Sequence, residues 1–290
     1  MFSKFKIDPK VSNAINEGKP LVALESTLIS HGLPYPENIK VANDSIKAVE
    51  ESGSVAATIG IINGEIIIGL NDEEINILAT STNIDKVSLH NISLSIYEKK
   101  HAATTVATTI SIASKVGINF FATGGIGGVH LGAEKNSDVS ADLTQLSRNK
   151  MFVISSGAKS ILDLEKTFEK LETFGIPRIA YNSDFMPGFW YEETEFKVDK
   201  NFISINDIAN YLKILKDYEH QSSVLIFNKV PKEKAIDKNI IQNWIELSID
   251  KAKQLNVTGK DVTPFLISEI NSLSRSEEHT SELQSQFRIS

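Results

Sequence analysis

Four clusters in the amino-acid sequence combine residue types and spacings that could do chemistry. In SSGAKS, residues 155–160, the apolar run MFVIS leads into a small-residue turn that carries Lys159, and the amphipathic stretch ILDLEKTFEKLETFG follows. Open α/β sheets place their ligand chemistry where a strand ends in such a turn and feeds a helix, which makes Lys159 a candidate site residue. The plainer alternative is a solvated surface lysine. A Walker A loop fits poorly, because it needs glycine directly before its lysine and Ala158 stands there. In LVALESTLISHG, Glu25 closes an apolar strand, with Ser26, Thr27 and His31 just beyond. A carboxylate held against apolar surroundings has its charged form disfavoured, which suits general-acid work; a glutamate that merely caps or pairs at a strand end would have no such part.

The third cluster, FATGGIGGVHLGAE, has five glycines in the nine positions from Gly124 to Gly132. Glycines let a backbone turn its amides toward an anion, so this stretch reads as a phosphate or ligand loop or, equally, as a structural turn, with Thr123 and His130 as the polar groups facing a ligand. Its spacing is a poor match to the dinucleotide fingerprint. In the fourth, NSDVSADL, Asp138 and Asp142 lie four apart. If a helix begins there, both carboxylates fall on one face of its first turn and could anchor a hard divalent cation that keeps several waters. The helix macrodipole alone also favours acidic residues in that turn.

Each cluster needs a strand end to hold it, and the chain supplies a regular series of them. PLVALE, VAATIGIING, EIIIGL, INFFATGG, MFVISSG and SSVLIFNKV read as strands. PENIKVANDSIKAVEESG, NDEEINILATS, AATTVATTISIASKVG, SADLTQLSRN, the segment after Lys159, SINDIANYLKILKDY and DKNIIQNWIELSIDKAKQL read as helices. This alternation predicts a single-domain α/β protein around a mostly parallel sheet. Pro36, Gly53 and Gly117 sit where proline-first and glycine-last helices put them.

The 290 residues are 41% apolar, enough for a sizeable core, and 30 basic against 37 acidic side chains leave a net charge of −7. That balance gives a nucleic acid no electrostatic footprint. The absence of cysteine excludes disulfides, thiol nucleophiles and thiolate metal sites. The opening residues MFSKFKIDPK carry charges where a signal peptide needs an apolar stretch, and the most apolar segment is broken by Gly, Asn and Glu, so a cytoplasmic protein without membrane association is expected.

Taken together, LVALESTLISHGLPYP, KVS at Lys86, ATTVATT, FATGGIGGVH, SDVSADL, GAKSILDL and LETFGIP, spread from about Pro20 to Ser272, resemble the pseudouridine-5'-phosphate glycosidase family, also called pseudouridylate synthase. The resemblance implies a three-layer α/β/α fold, a homotrimer, a manganese ion, and reversible cleavage of pseudouridine 5'-phosphate to uracil and ribose 5-phosphate. It also implies roles. Lys159 matches the lysine that forms an imine with C1' of the ring-opened ribose, Glu25 the proton donor, and Asp138 the manganese ligand, acting largely through waters. Lys86, Val106, Ser140, Ala141 and Asp142 match substrate-contacting positions, and Thr123 and His130 fall in a motif lining the same site. The chemistry accounts for the lysine: the bond broken joins two carbons, so protonating a heteroatom leaving group between paired carboxylates offers no route. An imine supplies the electron sink instead.

Other readings use the same residues. A Schiff-base lyase or aldolase on another sugar phosphate would also need an imine-forming lysine. A ligand-binding relative or an inactive truncated homologue is less well matched, since Glu25, Asp138 and Lys159 are all present. RSEEHTSELQS, from Arg275 to Ser285, has no apolar periodicity and reads like a translated sequencing adapter. The expectation is a glycosidase-like domain over residues 1–273, lacking the family's last helix and its substrate-binding asparagine, and a non-native tail over 274–290; a native disordered tail is the alternative.

Overall fold

The computed structural model describes residues 5–257 and 262–276. The expected strands line up in one sheet. β1 (Lys6–Ile7), β2 (Leu21–Leu24), β3 (Val55–Ile62), β4 (Glu65–Ile68), β5 (Asp85–Val87), β6 (Ala102–Thr104) and β7 (Phe120–Ala122) come from the first half of the chain. The pair β8 (Val129–His130) and β10 (Leu162–Asp163) stands apart from the sheet, which β9 (Phe152–Ser155), β11 (Arg178–Tyr181), β12 (Lys200–Phe202) and β13 (Val224–Asn228) complete. Its order is β1-β4-β3-β2-β7-β9-β13-β11-β12, with β6 paired to β3 and β5 to β6. From β3 through β12 every neighbour is parallel.

Helices lie between the strands: α1 (Pro9–Glu17), α2 (Thr27–His31), α3 (Glu37–Glu51), α4 (Asp72–Thr80), α5 (Ile92–Tyr97), α6 (Val106–Lys115), α7 (Ala133–Asn136), α8 (Ala141–Arg148), α9 (Leu164–Thr173), α10 (Ile205–Asp217), α11 (Lys238–Gln254) and α12 (Val262–Ser276). The alternation of strand side chains sorts them into layers. Val22, Leu24, Ala56 and Ala122 pack under Ile46 and Val49 of α3, and Ile154, Ile179, Val224 and Ile226 under Ile208 and Leu212 of α10. The opposite residues Ala23, Ala57, Phe121, Val153, Ala180 and Leu225 join the main core with Ile110 of α6, Leu143 of α8, Trp244 of α11 and Ile270 of α12. The result is the three-layer α/β/α arrangement expected.

Two boundaries differ from the pattern. AATTVATTISIASKVG is not one helix: Ala102–Thr104 form β6, fully buried between β3 and β5, and the helix begins at Val106 after Thr105, whose hydroxyl caps it by accepting from the Thr108 amide. The stretch after Lys159 first makes β10 and turns helical only at Leu164. At the other end of the chain α12 runs on to Ser276, three residues past the expected Leu273 boundary, and residues 277–290 of the expected tail lie outside the described residues.

Succession along the sheet determines where a ligand can sit. The chain goes from β2 to its neighbour β3 on one side and later returns to β7 on the other, so strand order reverses between β2 and β7. A crevice opens at such a switch point, outside the carboxyl ends of the strands. Glu25 directly follows β2 and Thr123 directly follows β7. Phe121, fully buried in the middle of β7, fixes that strand in the core. Phe121→Ala is expected to lower the unfolding free energy by about 3–5 kcal/mol in urea titration; an unchanged midpoint would contradict this packing.

Candidate active site

Beyond their last strand residues, the chains leaving β7 and β9 stay side by side. The Thr123 amide donates to Ile154 O (3.0 Å), Ser156 N to Gly124 O (3.1 Å), Ile126 N to Gly157 O (3.0 Å) and Lys159 N to Ile126 O (3.1 Å). The parallel ladder therefore continues through the glycine loop and the lysine turn, and Ile126 pairs with Ala158 as in a strand. Gly157 makes the turn possible: its φ is +96°, and a Cβ there would lie 2.2 Å from Pro187 O.

Much of the glycine loop's backbone bonds within the protein. Four of its amides are taken by protein acceptors: Ile126 N by Gly157 O, Gly127 N by the Asp142 carboxylate (2.7 Å), Val129 N by Thr167 Oγ1 (2.9 Å) and His130 N by Asp138 O (3.0 Å). The missing side chains serve close approach. A Cβ on Gly125 would meet the Phe189 ring at 2.5 Å, and one on Gly128 would meet Thr167 Oγ1 at 2.3 Å.

Glu25 stands at the switch point with both carboxylate oxygens engaged, one accepting from Thr123 Oγ1 and the other from Thr27 Oγ1. Behind it, fully buried Ser26 accepts from the Thr104 amide at 2.9 Å, tying the end of β2 to β6. Lys86 arrives on β5, the parallel neighbour of β6.

Two cavities adjoin at these residues. A polar cleft of about 800 Å³ is lined by Ser88, Thr105, Val106, His130, Asp138, Ser140 and Asp142 among others, and a narrower pocket by Leu28, His31, Phe189, Trp190 and Ile267. Glu25, Thr27, Lys86 and Lys159 line both. The candidate residues from the sequence thus come together, with Thr123 in the narrower pocket; Ala141, the first residue of α8, lines neither cavity. Phe189 and Trp190 were not foreseen, because the segment between β11 and β12 carries no periodicity that would single them out; nor was Ile267, which reaches the pocket from α12. Thr27 was visible beside Glu25 in the sequence, but not its bond to the carboxylate.

The two aspartates do not share a helical face. The helix begins at Ala141, capped by Ser140, whose hydroxyl accepts from the Asp142 amide (3.2 Å). Asp138 lies outside it, half-exposed at the cleft, with its carboxylate 4.0 Å from His130 Nδ1. Asp142 turns inward, 6% exposed. Among the described residues no three of His, Asp and Glu gather into a metal cage.

Burial lowers the proton affinity of His130, with Lys159 and Lys86 acting in the same direction and Asp138 and Asp142 against it. His31 is lowered likewise, first by burial and then by Lys86, against the Ile84 carbonyl and Asp85, while Ser30 Oγ lies 2.6 Å from its Nδ1. A histidine uncharged in the fold takes up a proton more readily when unfolded. Its contribution to stability is therefore present above the ordinary histidine value and lost as pH falls through the depressed one. His31→Gln is expected to flatten the acid-side decline in unfolding free energy below pH ~6.5, by up to about 1.4 kcal/mol per pH unit; an unchanged slope in denaturant titrations across that range would contradict it.

Comparison with known proteins identifies the family. The chain is 46% identical over 264 residues to the pseudouridine-5'-phosphate glycosidase of Geobacillus kaustophilus, spanning 91% of this chain and 88% of that one. It is 44% identical over 272 residues to the protein of the same name from Petrotoga mobilis, spanning 94% and 89%. Among solved structures, the prealnumycin C-glycosynthase AlnA, in complex with ribulose 5-phosphate, superposes with a TM-score of 0.86 at 33% identity, over 99% of this chain and 94% of that one. An indigoidine synthase A-like protein from Thermotoga maritima gives 0.85 at 32%, over 98% and 94%. A family model described as indigoidine synthase A like protein matches residues 10–285, and the chain belongs to that family.

Proposed function

We propose that the chain is an enzyme that cleaves the carbon-carbon glycosidic bond of pseudouridine 5'-phosphate, reversibly, to uracil and ribose 5-phosphate. The observation that carries this reading is the place where the two cavities share their lining, so that a lysine and a carboxylate face both a wide cleft and a narrower pocket with Leu28, Phe189, Trp190 and Ile267 in its wall. The polar cleft suits the sugar phosphate, with Lys86, Ser88, Thr105, Ser140 and the start of α6 at Val106 as its contacts, Thr123 and His130 beside them, and Ser140 and Asp142 in its wall on either side of Ala141 in the chain. The narrower pocket, with Leu28, Phe189 and Trp190, suits a flat base. The names of the relatives support the substrate, and the ribulose 5-phosphate complex of AlnA supports a sugar phosphate in this fold.

The steps follow from the bonds concerned. The unprotonated Lys159 amine attacks C1'; the C1'–O4' bond breaks, O4' takes a proton, and the attacking nitrogen gives one up. Its lone pair then forms the C1'=N imine as the bond from C1' to uracil breaks, and Glu25 supplies the proton that C5 of uracil takes. Water adds to the imine, frees ribose 5-phosphate and restores the amine. Thr27 and Thr123 hold the Glu25 carboxylate in place.

Manganese is the proposed cofactor, with Asp138 as its protein ligand. A single carboxylate at the edge of an open polar cleft, with Asn136, Ser137 and Ser140 nearby, fits a hard cation that keeps several waters. When bound, the ion would supply positive charge close to the sugar phosphate. The family resemblance also carries a homotrimer and a cytoplasmic location as proposals; among the described residues no helix is long and apolar enough to cross a membrane.

Two experiments test this reading. Incubation with pseudouridine 5'-phosphate and manganese should release uracil, detected by chromatography. Lys159→Arg should abolish the release, because guanidinium keeps its charge at neutral pH, and Glu25→Gln should slow it by roughly two to four orders of magnitude. Sugar-phosphate turnover without uracil release would favour a lyase or aldolase acting on a different substrate. In sedimentation, the chain should run at three times its 32.0 kDa mass and remain folded after a chelator removes the metal; monomers, or cooperative unfolding by the chelator, would contradict the assembly and metal proposals respectively.

A further inference from the structure

Asp142 lines the polar cleft, yet its carboxylate is committed elsewhere. One oxygen accepts from the Ala107 amide in the first turn of α6 (2.8 Å), the other from the Gly127 amide in the glycine loop (2.7 Å). The fit leaves no slack: a Cβ on Gly127 would lie 2.7 Å from Asp142 Oδ2 and 2.3 Å from Ser140 Oγ. A carboxylate bonded by two backbone amides is a strong, directional link, and these bonds are buried. Gly127 adjoins Ile126, whose amide and carbonyl both bond to the lysine turn, at Gly157 O and Lys159 N. Three elements distant in sequence, α6, the glycine loop and the lysine turn, are therefore joined in series through one side chain.

We propose that Asp142 is a positioning residue for the reaction: its carboxylate locks the glycine loop to the start of α6 and thereby sets Lys159 against the substrate. The inference rests on the reading of Lys159 as the attacking amine. Backbone amides can donate but not accept, so an asparagine in this place must turn its NH2 toward one of them, where no bond forms. The lock opens on one side while shape and volume are kept. A glutamate keeps the charge but is one methylene too long to reach both amides from the same backbone.

The test has two arms. In hydrogen exchange on the free protein, Asp142→Asn should reduce protection in residues 124–128 and also in 156–160, a segment that Asp142 does not touch with its carboxylate and that is bonded to the glycine loop at Gly124 and Ile126. Unchanged protection in 156–160 would overturn the proposal. In kinetics of uracil release, Asp142→Asn and Asp142→Glu should both lower kcat roughly 100-fold, with KM within about threefold of the original, as a nucleophile displaced by a fraction of its reach would. A raised KM with kcat intact would make Asp142 a direct substrate contact. Full activity in Asp142→Glu would show that charge and not geometry is what counts, and a lowered melting temperature with normal kcat well below it would reduce Asp142 to a structural part; each of these outcomes overturns the inference. If the unaltered protein releases no uracil while Asp142→Asn loosens 156–160, the lock stands and the functional reading falls.

Discussion

The site depends on one continued ladder. β7 and β9 pair in parallel, and their hydrogen bonding does not stop where the strands do but runs through Gly124, Ile126, Gly157 and Lys159. Loops that leave a sheet normally diverge and gain freedom. Here each is the other's backbone partner, so the lysine's main chain has nearly the definition of a strand residue. Buried polar groups need partners, and these loops are mostly buried, with the Phe189 ring against Gly125 and its amide donating to Ser156 O. The ladder meets that demand without strands, and the glycines allow their neighbours close enough for it to form.

Placed on this scaffold, Glu25 and Lys159 come from strands on either side of β7, and the switch point leaves the crevice between them open. The position answers a chemical difficulty. Cleavage of a carbon-carbon bond needs an amine that has lost its proton and an acid that has kept one, in the same space and without exchanging the proton prematurely. Glu25 and Lys159 line the same two cavities from strands separated by β7, and Thr27 and Thr123 bond the carboxylate's oxygens from the protein side. Electrostatic preorganisation of this kind acts without rearrangement at the moment of reaction.

Glu25 and Lys159 were legible because each closes an apolar run in a parallel-sheet pattern, and the ends of such runs converge on one edge. The glycine cluster was legible as a place of close approach but not as to what approaches. The partners of its amides, Gly157, Asp142, Thr167 and Asp138, lie 8 to 38 residues away, beyond the reach of a local pattern. β6 was hidden inside a helix because Ala-Ala-Thr-Thr satisfies both periods, and only pairing with β3 and β5 decides between them. The Asp138 and Asp142 spacing misled for a similar reason: it fits a helical turn, yet Ser140 caps the helix two residues after Asp138 and divides the pair. Phe189 and Trp190 lie in a stretch held by Gly188, Ser156 and Ser160 with no repeat of its own.

The central claim is that the amine of Lys159 becomes bonded to the sugar during turnover. Borohydride added while the enzyme is working on pseudouridine 5'-phosphate reduces an imine to a stable secondary amine, and mass spectrometry of the digested protein then locates the added ribose 5-phosphate. The account predicts one modified residue, Lys159, in the peptide that begins in β9. A label on Lys86, or a protein that turns over substrate and carries no label, would contradict it.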